Sequence, residues 1–233
     1  MSISEINKFL KKKNYNKVEE FYFKNFNNIS FNDKSNLFIK LIKLQNYTLL
    51  NKLLVKEKNI NFFDKNKRSL LMYSCLINDN KIFDILLKKN QDYKHEDNLK
   101  NNALHYAVKF YGFKNYKNKF YKISKLIDKG IDIDSLNFFH QTPLIFAAIY
   151  NNCEIVELLC KNGANPNITN GWGDFTPLMV AVRLNRKDLV ETLLKKNVDI
   201  KMKNEIFGYS ALDIAKAFNF LEIENMLKKY ELN

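Results

Sequence analysis

Few side chains in this sequence could carry out chemistry. Its three histidines, His95, His105 and His140, and three cysteines, Cys75, Cys153 and Cys160, are scattered along the chain. Zinc needs ligands at close spacing, such as HxxxH, HxxE or paired cysteines, and none of these frames surrounds them. The cysteines are few, odd in number and without CxxC spacing, which fits a reducing compartment with no disulfide framework. Cys153 stands where a helix is predicted to begin, and a helix N-terminus lowers a thiol pKa. No partner base is in view for it, so it reads as an ordinary thiol. The frames GxGxxG, GxxxxGK[ST], GxSxG and HExxH are absent. Glu96 and Asp97 read as hairpin charges. No catalytic constellation, no metal site and no cofactor are expected.

The scaffold behind these residues is easier to read. At 233 residues, with 46% hydrophobic and 27% charged side chains, the chain can bury a substantial core. No apolar run approaches the roughly 20 residues needed to span a bilayer. The N-terminus has no leader-like stretch, so a cytoplasmic protein is expected, with secretion as an effector left open. The net charge of +13 is uneven. Residues 1–68 carry 15 basic and 6 acidic groups (+9), residues 69–141 carry 12 and 8 (+4), and residues 142–233 carry 11 and 11 (0). Only Arg68, Arg183 and Arg186 among the 38 basic residues are arginine, a bias that A/T-rich codons alone would produce.

Self-comparison shows a period. Asn14, Asn46, Asn78, Asn118, Asn151, Asn185 and Asn219 each precede an apolar helical pattern, at intervals of 32, 32, 40, 33, 34 and 34 residues. With only six glycines available, these asparagines are expected to take left-handed turn positions. A second series heads another helix upstream: Ser69, Asn102, Thr142, Thr176 and Ser210, each followed by Leu, Ala or Pro and then by small residues. Hydroxyl and Asn side chains cap a first turn, and Pro suits its first position. Asn90, Gly130, Gly163 and Asn197 then close the second helix with a residue tolerant of positive φ.

This frame resembles the ankyrin repeat, whose pattern runs from TPLHxAA through a V/L-V-x-L-L helix to GADVN. The nearest match runs from Thr142 through Ala148 and Glu154–Leu159 to Gly163–Asn167, and the next from Thr176 to Leu194. The resemblance implies an all-α solenoid of about seven helix-turn-helix repeats with projecting hairpin loops, forming one domain over 1–233. The expected division is 1–34 (atypical N-terminal cap), 35–68 (degenerate repeat), 69–101, 102–141, 142–175, 176–209 and 210–233 (C-terminal cap). His105 fills the motif's histidine position, which implies a local hydrogen-bonding role. Cys75 replaces the motif's second alanine and should be a small core residue. His95 and His140 fall in hairpins and should face solvent. The interval from Leu104 to Leu144 is 40 residues, and the surplus lies in Lys109–Lys117.

The resemblance also implies a function. Such proteins usually grip a partner protein with hairpin tips and the exposed ends of first helices, which line a concave face. Those positions here hold Phe138, Phe139, Tyr150, Trp172, Phe175, Arg183, Phe207 and Tyr209. Aromatics and Arg dominate interface hot spots, and Trp172, between Gly171 and Gly173 in a loop one residue longer, ranks first. The expected function is a non-catalytic protein-protein interaction scaffold, monomeric when unbound, and in a narrower version an immunity or effector-type specificity factor. The alternative is a polyanion site on the basic N-terminal segment, at Lys11–Lys13 and Lys65–Arg68. Lysine-over-arginine bias and the lack of a nucleic-acid motif weigh against it, and no membrane partner is expected.

Overall fold

The computed structural model describes residues 3–89, 92–112, 119–171 and 173–232. The chain falls into two compact units. In Met1–Asn98, α1 (Ile3–Lys11) pairs with α2 (Tyr15–Lys24), α3 (Phe31–Lys43) with α4 (Tyr47–Lys56), and α5 (Leu70–Cys75) with α6 (Asn80–Lys88). In Leu99–Asn233, α7 (Ala103–Gly112) pairs with α8 (Lys119–Asp128), α9 (Pro143–Ile149) with α10 (Cys153–Lys161), α11 (Pro177–Arg183) with α12 (Lys187–Leu194), and α13 (Ala211–Ala217) with α14 (Leu221–Glu231). First helices pack on first helices, α3 on α5 in one unit and α7, α9, α11 and α13 in succession in the other. Second helices form their own rows, α2, α4 and α6, then α10, α12 and α14. The expected all-α ankyrin-type fold is therefore what the chain adopts.

Local sequence explains the pairs. Ser69, Thr142, Thr176 and Ser210 each accept a hydrogen bond from the backbone N–H three residues on, at 3.2–3.3 Å. Pro143 and Pro177 fill the first helical position, where a missing N–H costs nothing. Small side chains then let neighbouring first helices meet: Ala147, Ala148, Ala181, Val182 and Ala215 are fully buried. The second helices contribute larger apolar residues at helical spacing, such as Leu50, Leu53, Ile82, Ile155, Leu159, Leu189 and Leu193, all fully buried. Each such side chain stabilises the stack by roughly 1.5–3 kcal/mol. Ser30 caps α3 by accepting from Asp33 N–H at 3.1 Å, a start signal outside the Thr-Pro-Leu pattern.

The turn asparagines divide into two groups. Asn151, Asn185 and Asn219 have φ of 55°, 54° and 56°, in the left-handed region as expected. In the first two repeats the left-handed residue is instead the preceding one, Lys13 (φ 53°) and Gln45 (φ 52°). Asn14 and Asn46 are helix caps, accepting from Lys17 N–H at 3.2 Å and Leu49 N–H at 3.0 Å. Asn78 is not left-handed either, and Asp79 caps α6. A short amide contributes more by accepting an orphan N–H than by easing a turn that an unbranched side chain can tolerate. Asn118 lies outside the described residues. Gly130, Gly163 and Asn197 all have positive φ, whereas Asn90 lies outside the described residues. Lys109–Gly112 of the predicted surplus belongs to α7, and 113–117 lies outside the described residues.

Candidate partner-binding face

Hairpins between repeats set the geometry of the candidate face, and each is closed by a side chain as well as by backbone. Asp64, Asn137, Asn170 and Asn204 donate their backbone N–H to the carbonyls of Arg68, Gln141, Phe175 and Tyr209, at 2.9–3.1 Å. Their side-chain oxygens accept the N–H groups of those same four residues, at 2.7–3.2 Å. Asp97 stands in the same register and is also buried. This Asp/Asn series has the spacing 33, 40, 33 and 34, in step with the helix caps, and that period was its signal in the sequence. Adjacent hairpins are tied tip to tip. Asn98 N–H donates to Asn66 O at 3.0 Å in the first unit. In the second, Phe138 N–H donates to Leu99 O at 2.8 Å, Gly171 N–H to Phe139 O at 3.0 Å, and Asn204 Nδ2 to Gly173 O at 2.9 Å.

On the Leu99–Asn233 unit these loops and first helices enclose a groove of about 670 Å³. Its lining includes Phe175, Arg183, Ile206, Phe207, Tyr209, Ile214 and Phe218, with Gly171 and Gly173 at one edge. Phe175 is only 8% exposed and forms the floor, with the Arg183 guanidinium 5.1 Å from its ring centroid. The loop backbone dictates this placement: Gly173 has φ +90°, and a Cβ there would come within 2.5 Å of Phe175 Cε2. The walls are open. Ile206 is 61% exposed, Phe207 60% and Phe218 56%, and Phe207 stacks on Tyr209 with centroids 6.1 Å apart. Arg183 is the single charged group among these residues, and no acid, thiol or imidazole accompanies it.

Of the predicted partner-binding residues, Phe175, Arg183, Phe207 and Tyr209 are thus brought around one groove. Phe138 is 63% exposed on the tip of its hairpin, edge-on to half-buried Phe139 at 5.5 Å, and neither lines the groove. Tyr150 is half-buried at the end of α9, stacked on Phe146 at 6.1 Å, and burial pushes its hydroxyl pKa up. Trp172 lies outside the described residues. Ile214 of α13, which no sequence motif marks, is buried and joins the lining of the groove.

The Met1–Asn98 unit has a different face. A groove of about 650 Å³ runs between α3 and the 63–68 hairpin, lined by Asn32, Asn36, Ile39, Lys43, Phe63, Asp64, Lys65, Lys67 and Tyr73. Asp64 Oδ2 accepts from Arg68 Nε at 2.8 Å and from the Tyr73 hydroxyl at 2.9 Å. Burial works against ionisation of Asp64, but these hydrogen bonds and the Arg68 charge outweigh it and hold the carboxyl below its usual range. Tyr73 is pushed up to about 12 by burial and by its bond to Asp64. Lys11, Lys12 and Lys13 are exposed at the α1–α2 turn and line neither groove.

The other chemistry-bearing residues have structural surroundings. His105 is buried; its Nε2 meets the Gln141 carbonyl at 3.0 Å, so that nitrogen donates, and Asn102 N–H lies 3.4 Å from Nδ1. It thereby ties α7 to the next hairpin, the local role that its motif position implied. His95 packs flat on Phe63 at 5.7 Å with Nε2 2.6 Å from Lys67 O, and His140 is an exposed hairpin residue with φ 53°. Cys75 is fully buried as a small core residue. Burial pushes the Cys160 thiol up to about 11, away from the reactive thiolate. Fully buried Tyr22 and half-buried Lys34 and Glu57 form a cluster in which the Tyr22 hydroxyl and Lys34 Nζ (3.0 Å) both bind Glu57, with Lys34 3.7 Å from the Phe26 ring centroid. Among the described residues no group of His, Cys, Asp or Glu is placed to hold a metal, and no helix is long and apolar enough to cross a membrane.

Comparison with known proteins adds the family context. Residues 38–118 and 114–204 match the family model for ankyrin repeats in three copies. Over 131 residues, 54% of this chain, the sequence is 30% identical to an ankyrin repeat protein of Acanthamoeba polyphaga mimivirus. Over 55 residues, 24% of this chain, it is 42% identical to an ankyrin repeat protein of Rickettsia bellii. The matched segments span 16% and 33% of those relatives.

Proposed function

This chain belongs to the ankyrin repeat family, and from that premise we propose that it is a non-catalytic scaffold that captures a partner protein in the aromatic groove of the Leu99–Asn233 unit. The observation that carries this reading is the groove's composition: a buried Phe175 floor under Arg183, walled by the exposed Ile206, Phe207, Tyr209 and Phe218. A contiguous exposed apolar patch is costly to leave in water and gains free energy when covered. Aromatic rings supply large contact area at little entropy cost, and Arg supplies fixed donors, the mixture found in interface hot spots. Phe138, Phe139 and Tyr150 extend the same face in this reading, and Trp172, which lies outside the described residues, is assigned to it on its sequence position. Binding of this kind acts by occupying a partner's surface, the mode of an immunity or effector-type specificity factor working in the cytoplasm.

The test is affinity against a partner captured from the cells in which the chain is made. Phe207→Ala with Tyr209→Ala should cost roughly 2 kcal/mol or more, about a thirtyfold loss, with little dependence on salt. Trp172→Ala should add to it. Reversing Lys11, Lys12 and Lys13 to Glu should change affinity little. The opposite pattern, with binding that weakens steeply in salt, would move the site to the basic N-terminal segment.

A further inference from the structure

The groove on the Met1–Asn98 unit has a chemistry that the aromatic site lacks. Lys43, Lys65 and Lys67 are exposed on its rim, and none of the three ammonium groups has a carboxylate partner among the described residues. The one acid in the groove, Asp64, is already neutralised by Arg68 and hydrogen-bonded by Tyr73. Three cations therefore face a shared concavity with no internal counter-charge. Along one wall, Asn32 and Asn36 stand one helical turn apart on α3, exposed, with no side-chain hydrogen bond among the described residues.

We propose that this groove is a second binding site, independent of the aromatic one, that takes an acidic, extended segment of a protein chain. Lysine charges on the rim would meet Asp or Glu side chains, and the two asparagines would meet the segment's backbone. Four residues of α-helix rise about 6 Å, close to the roughly 6.6 Å between alternate residues of an extended strand. Each Asn presents both an acceptor for a peptide N–H and a donor for a peptide carbonyl. A phosphate backbone has no N–H to offer those acceptors. Arg68, the side chain here with a planar fork suited to phosphate, is committed to Asp64. Half-buried Asp64 also leaves the floor unsuited to a dense row of phosphates. On the floor the buried Tyr73 ring lies 5.0 Å from Lys43 Nζ and 5.2 Å from the Arg68 guanidinium, which leaves buried Ile39 to receive methylene groups of the segment.

The experiment is fluorescence anisotropy of the full chain with three labelled probes: an alternating Glu-Ser octapeptide, its Lys-Ser counterpart and an oligothymidylate of equal negative charge. The acidic peptide should bind best, and its affinity should fall with salt. Lys43→Glu with Lys65→Glu should weaken it by about tenfold or more. Asn32→Ala with Asn36→Ala should weaken the peptide several-fold and leave the oligothymidylate unchanged. All four positions are exposed, so circular dichroism should match the parent, and Phe207→Ala should leave peptide binding intact. Oligothymidylate binding as tight as the acidic peptide, indifference to the lysine reversals, or no preference over the Lys-Ser peptide would each overturn the proposal without touching the aromatic site.

Discussion

Replacing Asn204 with Ala should loosen the hairpin that carries Phe207 and Tyr209, and the structure sets the size of the effect. Asn204 is fully buried, and its side chain makes two bonds: Oδ1 accepts Tyr209 N–H at 2.7 Å, and Nδ2 donates to Gly173 O at 2.9 Å. A hydrogen bond contributes about 1 kcal/mol net, and a partner left buried and unpaired costs about 1–3 kcal/mol. Both partners here lie at a loop where water reaches in part, so the sum should be about 2 kcal/mol. For a chain of this size that lowers the melting temperature by roughly 4–8 °C. Asn204→Asp keeps the acceptor for Tyr209 but sets a carboxylate oxygen against the Gly173 carbonyl in a buried site, and should cost at least as much as Ala at neutral pH. Urea unfolding followed at 222 nm reads both values, with the slope of the transition unchanged. An Asn204→Ala midpoint equal to the parent's would refute the claim that this side chain closes the loop, and with it the register shared by Asp64, Asn137 and Asn170.

Other perturbations probe the same reasoning. Asn185→Gly should be neutral or mildly stabilising, whereas Asn185→Val should cost about 1–2 kcal/mol by denaturant midpoint, because a branched Cβ resists positive φ. Asn14→Ala should instead cost about 1 kcal/mol through the lost cap, and Lys13→Gly should be the tolerated change in that turn. Gly173→Ala should destabilise the unit and displace Phe175, visible as a changed near-ultraviolet spectrum, since the new Cβ would sit 2.5 Å from the ring. Asp64 is held below its ordinary pKa in the fold, so its contribution to stability is present above the unfolded value of about 3.9 and is lost as pH falls through the lower folded value. The stability of Asp64→Asn should therefore vary less with pH below about 4 than the parent's, and an identical acid limb would remove the Arg68 and Tyr73 bonds as its cause.

Much of the fold was legible because caps, apolar spacing and small residues repeat at one period. Thr142-Pro143 and Thr176-Pro177 announce their helices almost alone, and α1 and α3 lack that signature but keep amphipathic spacing. Single-residue frame was harder: Asn14 and Asn152 both cap, whereas Asn151 turns, and sequence cannot tell a cap from a turn where two such residues adjoin. The groove was partly legible. Hairpin positions pointed to Phe175, Phe207 and Tyr209 and the end of a first helix to Arg183, yet Phe175 is buried because Gly173 lets the loop fold over it. Aromatic type alone does not separate a wall from a floor. The basic character of residues 1–68 was visible as a total, but its placement was not: Arg68 is consumed by Asp64, while Lys43 on α3 reaches the same groove as Lys65 and Lys67 on a hairpin.

Hydrogen exchange of the chain, alone and with a partner protein isolated by the capture proposed above, reports directly on which face is used. Aromatic-groove binding predicts slowed exchange in 204–209 and at the ends of α11 and α13, because covered loop amides lose access to water, with little change around Lys11–Lys13. Protection confined to the basic N-terminal turn, with 204–209 exchanging as in the free chain, would contradict it.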